Sequence, residues 1–190
     1  MQQFIQYIES HTSLLGEEVD KIISKIETET VRKNGFLLKE GELCKYNYFI
    51  LKGCFRIYLI SDLGKEQILH FAIENWWITD LAGFLNEKKA RFYIQALENS
   101  EVVKISYKNY NLLITEIPSF ETFIRMIFQQ SFVNLQEHFI DTLNSEGESR
   151  YLTFVKKYPQ MTQRIPQYMI ASYLGLSAEF VSKIRRKLYQ

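Results

Sequence analysis

The chain has 190 residues, 46% of them hydrophobic and 24% charged, which is typical of one large or two small globular domains. No stretch approaches the roughly 20 continuous apolar residues of a membrane span, and the acidic N-terminus lacks the features of a signal peptide, so we expect no membrane association. The net charge of +1 hides an asymmetry, because residues 151–190 carry seven Lys/Arg and one Asp/Glu, whereas residues 1–150 carry 16 and 21. Such a basic end is typical of nucleic-acid binding, although a solvated lysine-rich surface is the alternative.

In the first half of the chain, the sequence pattern changes from one typical of helices to one typical of β-strands. Helical periodicity in the first thirty residues is marked by Phe4, Ile5, Ile8, Val19, Ile22, Ile23 and Ile26. From Thr30 to Val103, short β-rich runs alternate with turn signals, among them Asn34-Gly35, a strong hairpin signal, and Lys52-Gly53. Six to eight strands at close, even spacing favour a sandwich or barrel over a parallel α/β sheet.

A long helix is predicted in the second half. After a short helix over 107–117, Pro118 can begin a helix that runs to Leu143, on the order of 40 Å long. Its apolar stripe, mostly at four-residue spacing, is Ile117, Ile124, Phe128, Phe132, Leu135, Phe139 and Leu143, and it is widened by Met126, Ile127, Val133 and Ile140. Such a helix needs its own barrel on one side and a second subunit on the other. The alternative is a helix wholly packed inside one monomer. We expect a hinge at 144–149.

The most informative stretch is IPQYMIASYLGLSAEFVSKIRRKL, residues 165–188. Two amphipathic segments meet at Gly175, which can adopt the sharp turn of a helix-turn-helix. Pro166 begins the first segment, Ala171 permits close crossing, and Ser177 is placed to cap the second helix. The apolar residues that would fix the crossing are Ile170, Leu174, Leu176, Val181 and Ile184, with Leu188 on the same side.

The outward face of the second helix would then present polar and cationic side chains. They are Ala178, Glu179, Ser182, Lys183, Arg185 and Arg186. A glutamate can accept from cytosine N4, and lysine or arginine can donate to guanine O6 and N7. A helical hairpin that caps a bundle is the alternative, but the agreement of glycine, capping serine and basic face favours a DNA reader.

Four stretches together resemble the Crp–Fnr family of bacterial transcription regulators, which are cyclic-AMP-receptor-like. They are KNGFLLKEGE (33–42), YFILKGCFRIY (48–58), the long helix, and RIPQYMIASYLGLSAEFVSKIRRKL (164–188), the last being similar to short members from Bacteroidetes-type bacteria. The resemblance implies an α+β fold. It has a cyclic-nucleotide-binding-like jelly roll with flanking helices over 1–117, a dimerisation helix over 118–145, and an all-α helix-turn-helix domain over 146–190.

The resemblance also implies a homodimer on double-stranded DNA, with each recognition helix in a major groove and RNA polymerase as a further partner. Matching positions assign base reading to Ala178, Glu179, Ser182 and Lys183. Phosphate contacts are assigned to Gln167, Arg185, Arg186 and Lys187. Because the sequence stops two residues after Leu188, the β-hairpin wing of longer relatives is expected to be missing.

The cyclic-nucleotide cassette of the family is altered here. Thr79-Asp80-Leu81 stands where Gly-Glu-Leu would, and Arg91 is either shifted or followed by Phe92 instead of a hydroxyl residue. We therefore expect no cyclic AMP binding and no cofactor, and the cysteine cluster of the oxygen sensors is absent. The pocket around these five residues takes an unknown small effector or is filled by its own aromatics, for which the candidates are Trp76, Trp77, Phe84, Phe92 and Tyr93.

Rival functions are weaker. Gly64, His70 and Glu74 partly resemble a cupin metal motif, but Ala72 stands where a second histidine is needed. His11 and His138 fall on helical segments, so neither a metal site nor an enzyme is predicted. Cys44 and Cys54 form no disulfide framework, and we expect a cytoplasmic protein. The remaining alternative is a small-molecule sensing module, possibly for a cyclic nucleotide, without direct DNA binding.

Overall fold

The computed structural model describes residues 1–188, and the side chains of residues 1–187. Two short helices, α1 (Gln2–Glu9) and α2 (Gly16–Ser24), precede the β region. Its strands are β1 (Glu27–Val31), β2 (Phe36–Leu38), β3 (Tyr46–Lys52), β4 (Phe55–Ile60), β5 (Glu66–Ala72), β6 (Trp77–Ile78), β7 (Tyr93–Ala96) and β8 (Ser100–Ser106). A short helix, α3 (Leu81–Leu85), lies between β6 and β7.

The strands form two antiparallel four-stranded sheets, in the orders β1-β8-β3-β6 and β2-β7-β4-β5. Among these strands, β4 and β5 are the one consecutive pair that also hydrogen-bond to each other. The other connections that join successive strands directly cross from one sheet to the other, which is the connectivity of a jelly roll. The predicted fold class is confirmed.

The connectivity corrects the hairpin expected at Asn34-Gly35, whereas the turn expected at Lys52-Gly53 is present. Asn34, at φ 67°, and Gly53, at φ 117°, do turn the chain sharply. However, β1 pairs with β8 and β2 with β7, so the Asn34-Gly35 turn joins two sheets and closes no hairpin. The same holds at Gly53, since β3 and β4 lie in different sheets. A local turn signal sets the direction of the chain but leaves the partner of each strand open.

Six further helices follow β8 in the described part of the chain. They are α4 (Tyr107–Glu116), α5 (Pro118–Asn144), α6 (Gly147–Lys157), α7 (Pro159–Arg164), α8 (Gln167–Tyr173) and α9 (Ala178–Leu188). Pro118 occupies the first turn of α5, where its missing N–H needs no partner. At 27 residues, α5 is about 40 Å long.

The main core lies between the two sheets and is closed by α1, α4 and the start of α5. Its largest fully buried side chains include Phe4, Phe49, Phe55, Phe84, Phe120 and Phe123. The first turns of α5 therefore pack into the main core, whereas apolar side chains from Phe132 onward are exposed. We call residues 1–117 the roll and α6–α9 the helical domain.

A second core joins the helical domain to the roll. Tyr58, Ile68 and Phe71 of the second sheet share a buried cluster with Tyr151 and Ile170. The backbone N–H of Ile68 also donates to the Ser172 hydroxyl at 3.3 Å. This docking gives the helical domain part of its buried apolar surface, and the sequence pattern did not predict it. In the described part of the chain, no helix is both long and apolar enough to cross a membrane.

An ionic cluster reinforces the same junction. The Arg164 guanidinium donates to both carboxylate oxygens of Glu74 at 2.8 and 2.9 Å, and it also pairs with Glu98. Glu74 accepts a further hydrogen bond from the Gly53 N–H at 2.7 Å. Burial alone would raise the pKa of Glu74, but the hydrogen bonds from Arg164 and Gly53 outweigh it and lower that pKa.

Candidate nucleic-acid interface

The turn between α8 and α9 depends on the backbone of Gly175. Its φ of +66° lies in the left-handed region, and a Cβ there would meet nothing within 4 Å. The Gly175 N–H donates to the Ser172 carbonyl at 3.2 Å, and the Leu176 N–H to the Ala171 carbonyl at 2.8 Å. This pair of bonds is the usual closure of a helix by a left-handed glycine. Glycine is therefore needed at this position because of its backbone conformation, and not because a side chain would clash with a neighbour.

The start and inner face of α9 fix its orientation. The Ser177 hydroxyl accepts from the Phe180 N–H at 3.1 Å, so it caps the helix. Val181 and Ile184 are fully buried and pack into the second core with Ala171. The remaining residues assigned to the crossing follow the same side, with Ile170 and Leu174 buried and Leu176 half-buried. The side chain of Leu188 lies outside the described residues.

All four candidate base-reading residues are exposed on the opposite side of α9. They are Ala178, Glu179, Ser182 and Lys183. Hydrogen bonds from its own backbone N–H and from the Ser177 hydroxyl lower the pKa of Glu179, so its carboxylate is ionised at neutral pH. The helix thus offers one anionic acceptor, one hydroxyl and one cation to a groove.

The candidate phosphate contacts fall into two groups. Gln167, Arg185 and Arg186 line a shallow depression of about 350 Å³ together with Ala178 and Ser182. The Gln167 side chain is also held in place by the Tyr151 hydroxyl, which donates to its Oε1 at 3.0 Å. Lys187 instead lies 3.4 Å from Glu148 of α6, with 70% of its side chain exposed. An ion pair this exposed is weak and leaves the lysine accessible to a phosphate.

Phe180 is a surface residue that the sequence pattern missed. Its side chain is 40% exposed, and its ring lies where a Cβ on Gly147 would come within 2.9 Å of Cε1. Leu176 Cδ2 would be 2.7 Å from the same Cβ. A side chain at Gly147 would therefore require Leu176 and Phe180 to shift. Gly147, which the sequence analysis assigns to a hinge, was the available signal.

The five candidate effector residues differ in burial and in hydrogen-bond partners. Asp80 is 1% exposed, and its carboxylate accepts from the Gly83 N–H at 3.1 Å and the Arg91 N–H at 3.0 Å. The Arg91 side chain is 71% exposed and lies 3.6 Å from Asp80. The Thr79 hydroxyl donates to the Tyr46 carbonyl at 2.9 Å. Leu81 is exposed and Phe92 half-buried against the main core.

The other aromatic candidates take three different places. Phe84 is fully buried against Tyr107 and Tyr110, and Tyr93 stacks on Tyr58. Trp76 and Trp77 instead border a cavity between the roll, α5 and the helical domain.

Neither cysteine nor histidine forms a metal centre in the part of the chain that the structure describes, where no three His, Cys, Asp or Glu residues come together. Cys44 and Cys54 are buried, and burial raises the pKa of their thiols to about 11 and about 12. His70 lies on β5, as predicted, but its ring stacks on Trp76 at the cavity.

Sequence and structure relatives agree with this architecture. Residues 28–116 match the family model of the cyclic nucleotide-binding domain. The chain is 27% identical to the anaerobic regulatory protein of Pasteurella multocida, over 93% of this chain and 68% of that protein. It is 25% identical to the fumarate and nitrate reduction regulatory protein of Vibrio cholerae, over 88% and 70%. The fold of the c-di-GMP-responsive regulator CLP of Xanthomonas campestris matches with a TM-score of 0.73, 12% identity and 92% coverage of each chain.

A jelly roll joined by a long helix to a helix-turn-helix is the architecture of a sensor-type transcription regulator. Along most of its length the chain is similar to Crp–Fnr-type transcription regulators, and these relatives support a DNA-binding regulator of that type. The prediction that it is not an enzyme agrees with its relatives, which are transcription regulators.

Proposed function

We propose that the protein binds a two-fold symmetric operator as a homodimer, acts in the cytoplasm on RNA polymerase, and has a sensor domain that has lost cyclic AMP binding. Each subunit places α9 in a major groove, where the base-reading residues are Ala178, Glu179, Ser182 and Lys183. The residues that contact phosphates and hold the register are Gln167, Arg185, Arg186 and Lys187. The domain boundaries at 117/118 and 145/146 belong to the same proposal.

The observation that carries the DNA-binding proposal is the outer face of α9. Its charged side chains are exposed, while the inner side chains Val181 and Ile184 fasten the helix to the domain. A rigidly mounted helix with an accessible polar face satisfies the geometric requirement for insertion into a groove.

The dimer proposal is supported by the second half of α5. Phe132, Leu135, Phe139 and Leu143 are 61–67% exposed. They repeat at intervals of three or four residues, which is the pattern of a coiled-coil seam. Leaving such side chains in water forfeits about 1.5–3 kcal/mol each relative to full burial. Two copies of α5 packed along this seam would bury the stripe and place two α9 helices in one symmetric assembly.

The loss of cyclic AMP binding is supported by the position of Asp80. Both of its carboxylate oxygens already accept backbone hydrogen bonds, and it is 1% exposed. A carboxylate in that state is unavailable to a ribose hydroxyl unless α3 unfolds locally.

A direct test is in-vitro selection of duplex DNA followed by affinity measurement on the selected site. We expect Lys183→Ala to weaken the selected site about 5- to 150-fold and to relax one base pair in each half-site. Lys156→Ala, an exposed lysine on α6, is the matched control and should leave specificity unchanged. If the protein enriched no sequence and showed no retention on duplex DNA at low salt, the sensing module without DNA binding would be the better description.

Self-association has its own test. Leu135→Glu places a charge in the stripe, and we expect sedimentation to show a shift from dimer to monomer with the loss of operator binding. Gln136→Glu, at the next exposed position and off the stripe, should remain dimeric. A wild-type protein that sediments as a monomer at micromolar concentration would refute the dimer.

A further inference from the structure

A buried tyrosine lies behind Gln167, one of the candidate phosphate contacts. Tyr151 belongs to α6 and is 3% exposed, with its ring packed into the second core. Its hydroxyl donates to Gln167 Oε1 at 3.0 Å, between residues that are 16 positions apart in the chain. The hydrogen bond therefore joins a firmly packed side chain to a half-buried one at the start of α8.

Two contacts determine which way the Gln167 amide points. The Thr162 carbonyl can only accept, and it lies 3.5 Å from Gln167 Nε2, so it selects the orientation that turns the nitrogen toward it. The Tyr151 hydroxyl then meets the amide oxygen. In the reversed orientation, two carbonyl oxygens would face each other at Thr162. Because Nε2 carries two N–H groups and Thr162 accepts from one, the second N–H is the donor that Gln167 can offer to another acceptor.

Gln167 also lines the shallow depression whose other walls come from α9. Those walls present two cations and two small side chains, Arg185, Arg186, Ala178 and Ser182. The depression thus combines positive charge, an amide donor and room for a small anionic group. A DNA phosphate is such a group, and proteins bind it through glutamine side chains as well as through cations. An amide oxygen turned toward the same place would repel it.

We propose that Tyr151 is a positioning residue for DNA binding, whose hydroxyl holds Gln167 so that Nε2 donates to a phosphate oxygen in this depression. The inference rests on the proposed function, to which it adds the group that orients one phosphate contact. A glutamine that is held in place before DNA arrives loses less conformational freedom on binding. Without the hydroxyl, the amide oxygen can turn toward the cations of α9, and the phosphate then loses its donor.

A double-mutant cycle in the full chain tests this positioning role. Tyr151→Phe removes the hydroxyl and keeps the ring, Gln167→Ala removes the donor, and a third protein carries both changes. We expect each single change to weaken all duplexes about threefold to tenfold, and the combined change to match Gln167→Ala within about twofold. A purely structural role of Tyr151 would lower affinity by the same factor in both backgrounds. Fluorescence anisotropy with a selected and an unrelated duplex measures these affinities.

Salt dependence distinguishes this contact from the cationic ones. Since Gln167 is neutral, Tyr151→Phe and Gln167→Ala should leave the slope of log affinity against log salt unchanged. Gln167→Glu keeps an acceptor for Tyr151 but replaces the donor with a carboxylate, and we expect at least about tenfold weaker binding to all duplexes. This variant leaves Tyr151 in place, so it remains decisive if Tyr151→Phe does not fold, which circular dichroism verifies.

Tyr158→Phe is the matched control. Tyr158 follows α6 and packs against Phe154 at the same second core, so the control also removes a phenolic hydroxyl from this region. Its affinity for DNA should stay within about twofold of the wild type.

Three results would overturn the inference in a protein that binds DNA. They are losses that multiply in the combined variant, wild-type affinity of Tyr151→Phe, and wild-type affinity of Gln167→Glu. Each of these leaves the proposed function intact. A wild-type protein that binds no duplex at low salt would instead refute the proposed function, and this inference with it.

Discussion

Two polar regions of this protein lie at positions that match functional sites of the Crp–Fnr family. They differ in whether their side chains are accessible to a ligand. In the outer face of α9, Glu179 and Lys183 are exposed and extend from a helix whose other side is buried. In the segment before β7, Asp80 is buried and holds the backbone of Gly83 and Arg91. A side chain at the right position can bind a ligand only if its polar atoms are still available. The first region is therefore suited to recognition, and the second is structural.

Among the substitutions that test this comparison, removal of the buried Asp80 carboxylate should change stability the most. Asp80→Ala leaves two backbone N–H groups without their acceptor, and we expect a loss of about 2–3 kcal/mol in the free energy of unfolding. Urea denaturation measures it, with the exposed Asp20→Ala as the control. DNA affinity of the folded fraction should not change. A stable Asp80→Ala protein that gained cyclic AMP binding would show that the carboxylate is not structural.

The ionic cluster at the domain junction should have the next largest effect. Arg164→Gln leaves Glu74 and Glu98 facing each other half-buried, and we expect a loss of about 1–2 kcal/mol. The exposed Arg125→Gln on α5 is the comparison variant. Equal urea midpoints for the two variants would mean that the cluster contributes nothing to docking.

The same cluster predicts a pH dependence. The pKa of Glu74 is lower in the folded protein than its ordinary value of 4.5, so its contribution is complete above that value and is lost as the pH falls through the folded-state pKa. We expect the urea midpoint of the wild type to fall below pH about 4.5 more steeply than that of Arg164→Gln. Parallel curves for the two proteins would contradict this assignment.

The phosphate contacts should produce a smaller change that is uniform across sequences. Arg186→Ala is expected to weaken all duplexes alike and to reduce the slope of log affinity against log salt by about 1, because one phosphate would no longer be neutralised by this cation. Affinity titrations at several salt concentrations measure this slope. An unchanged slope would place Arg186 away from the phosphates.

The smallest effect is expected at Arg91. With 71% of its side chain exposed and a 3.6 Å separation from Asp80, Arg91→Ala should change the free energy of unfolding by less than about 0.5 kcal/mol. Calorimetry should show no difference in heat on addition of cyclic AMP. A sub-micromolar cyclic AMP site in the wild type that Arg91→Ala removes would contradict the proposed loss of cyclic AMP binding.

Local signals explain how much the sequence revealed. Pro118 fixed the start of α5, and Gly175 and Ser177 fixed the turn and cap before α9, because each depends on the backbone of a few neighbouring residues. Strand partners depend on contacts distant in the chain, so the turn at Asn34 was misread as a hairpin.

The docking of the helical domain could not be predicted for the same reason. Tyr58, Ile68 and Phe71 read as ordinary strand residues, and nothing near them in the sequence indicates that Tyr151 and Ile170 cover them. The cavity next to this junction exists only because three distant segments meet there. The aromatic and imidazole side chains that line it have no common spacing that a sequence pattern could detect.

The central claim is that two copies of α9 read one symmetric DNA site. In-vitro selection with the full chain, followed by footprinting, tests it most directly. We expect a palindromic site whose half-site centres are about 34–36 Å apart, and Lys183→Ala should relax the same position in both halves. An asymmetric site, or selection without any enriched sequence, would contradict the claim.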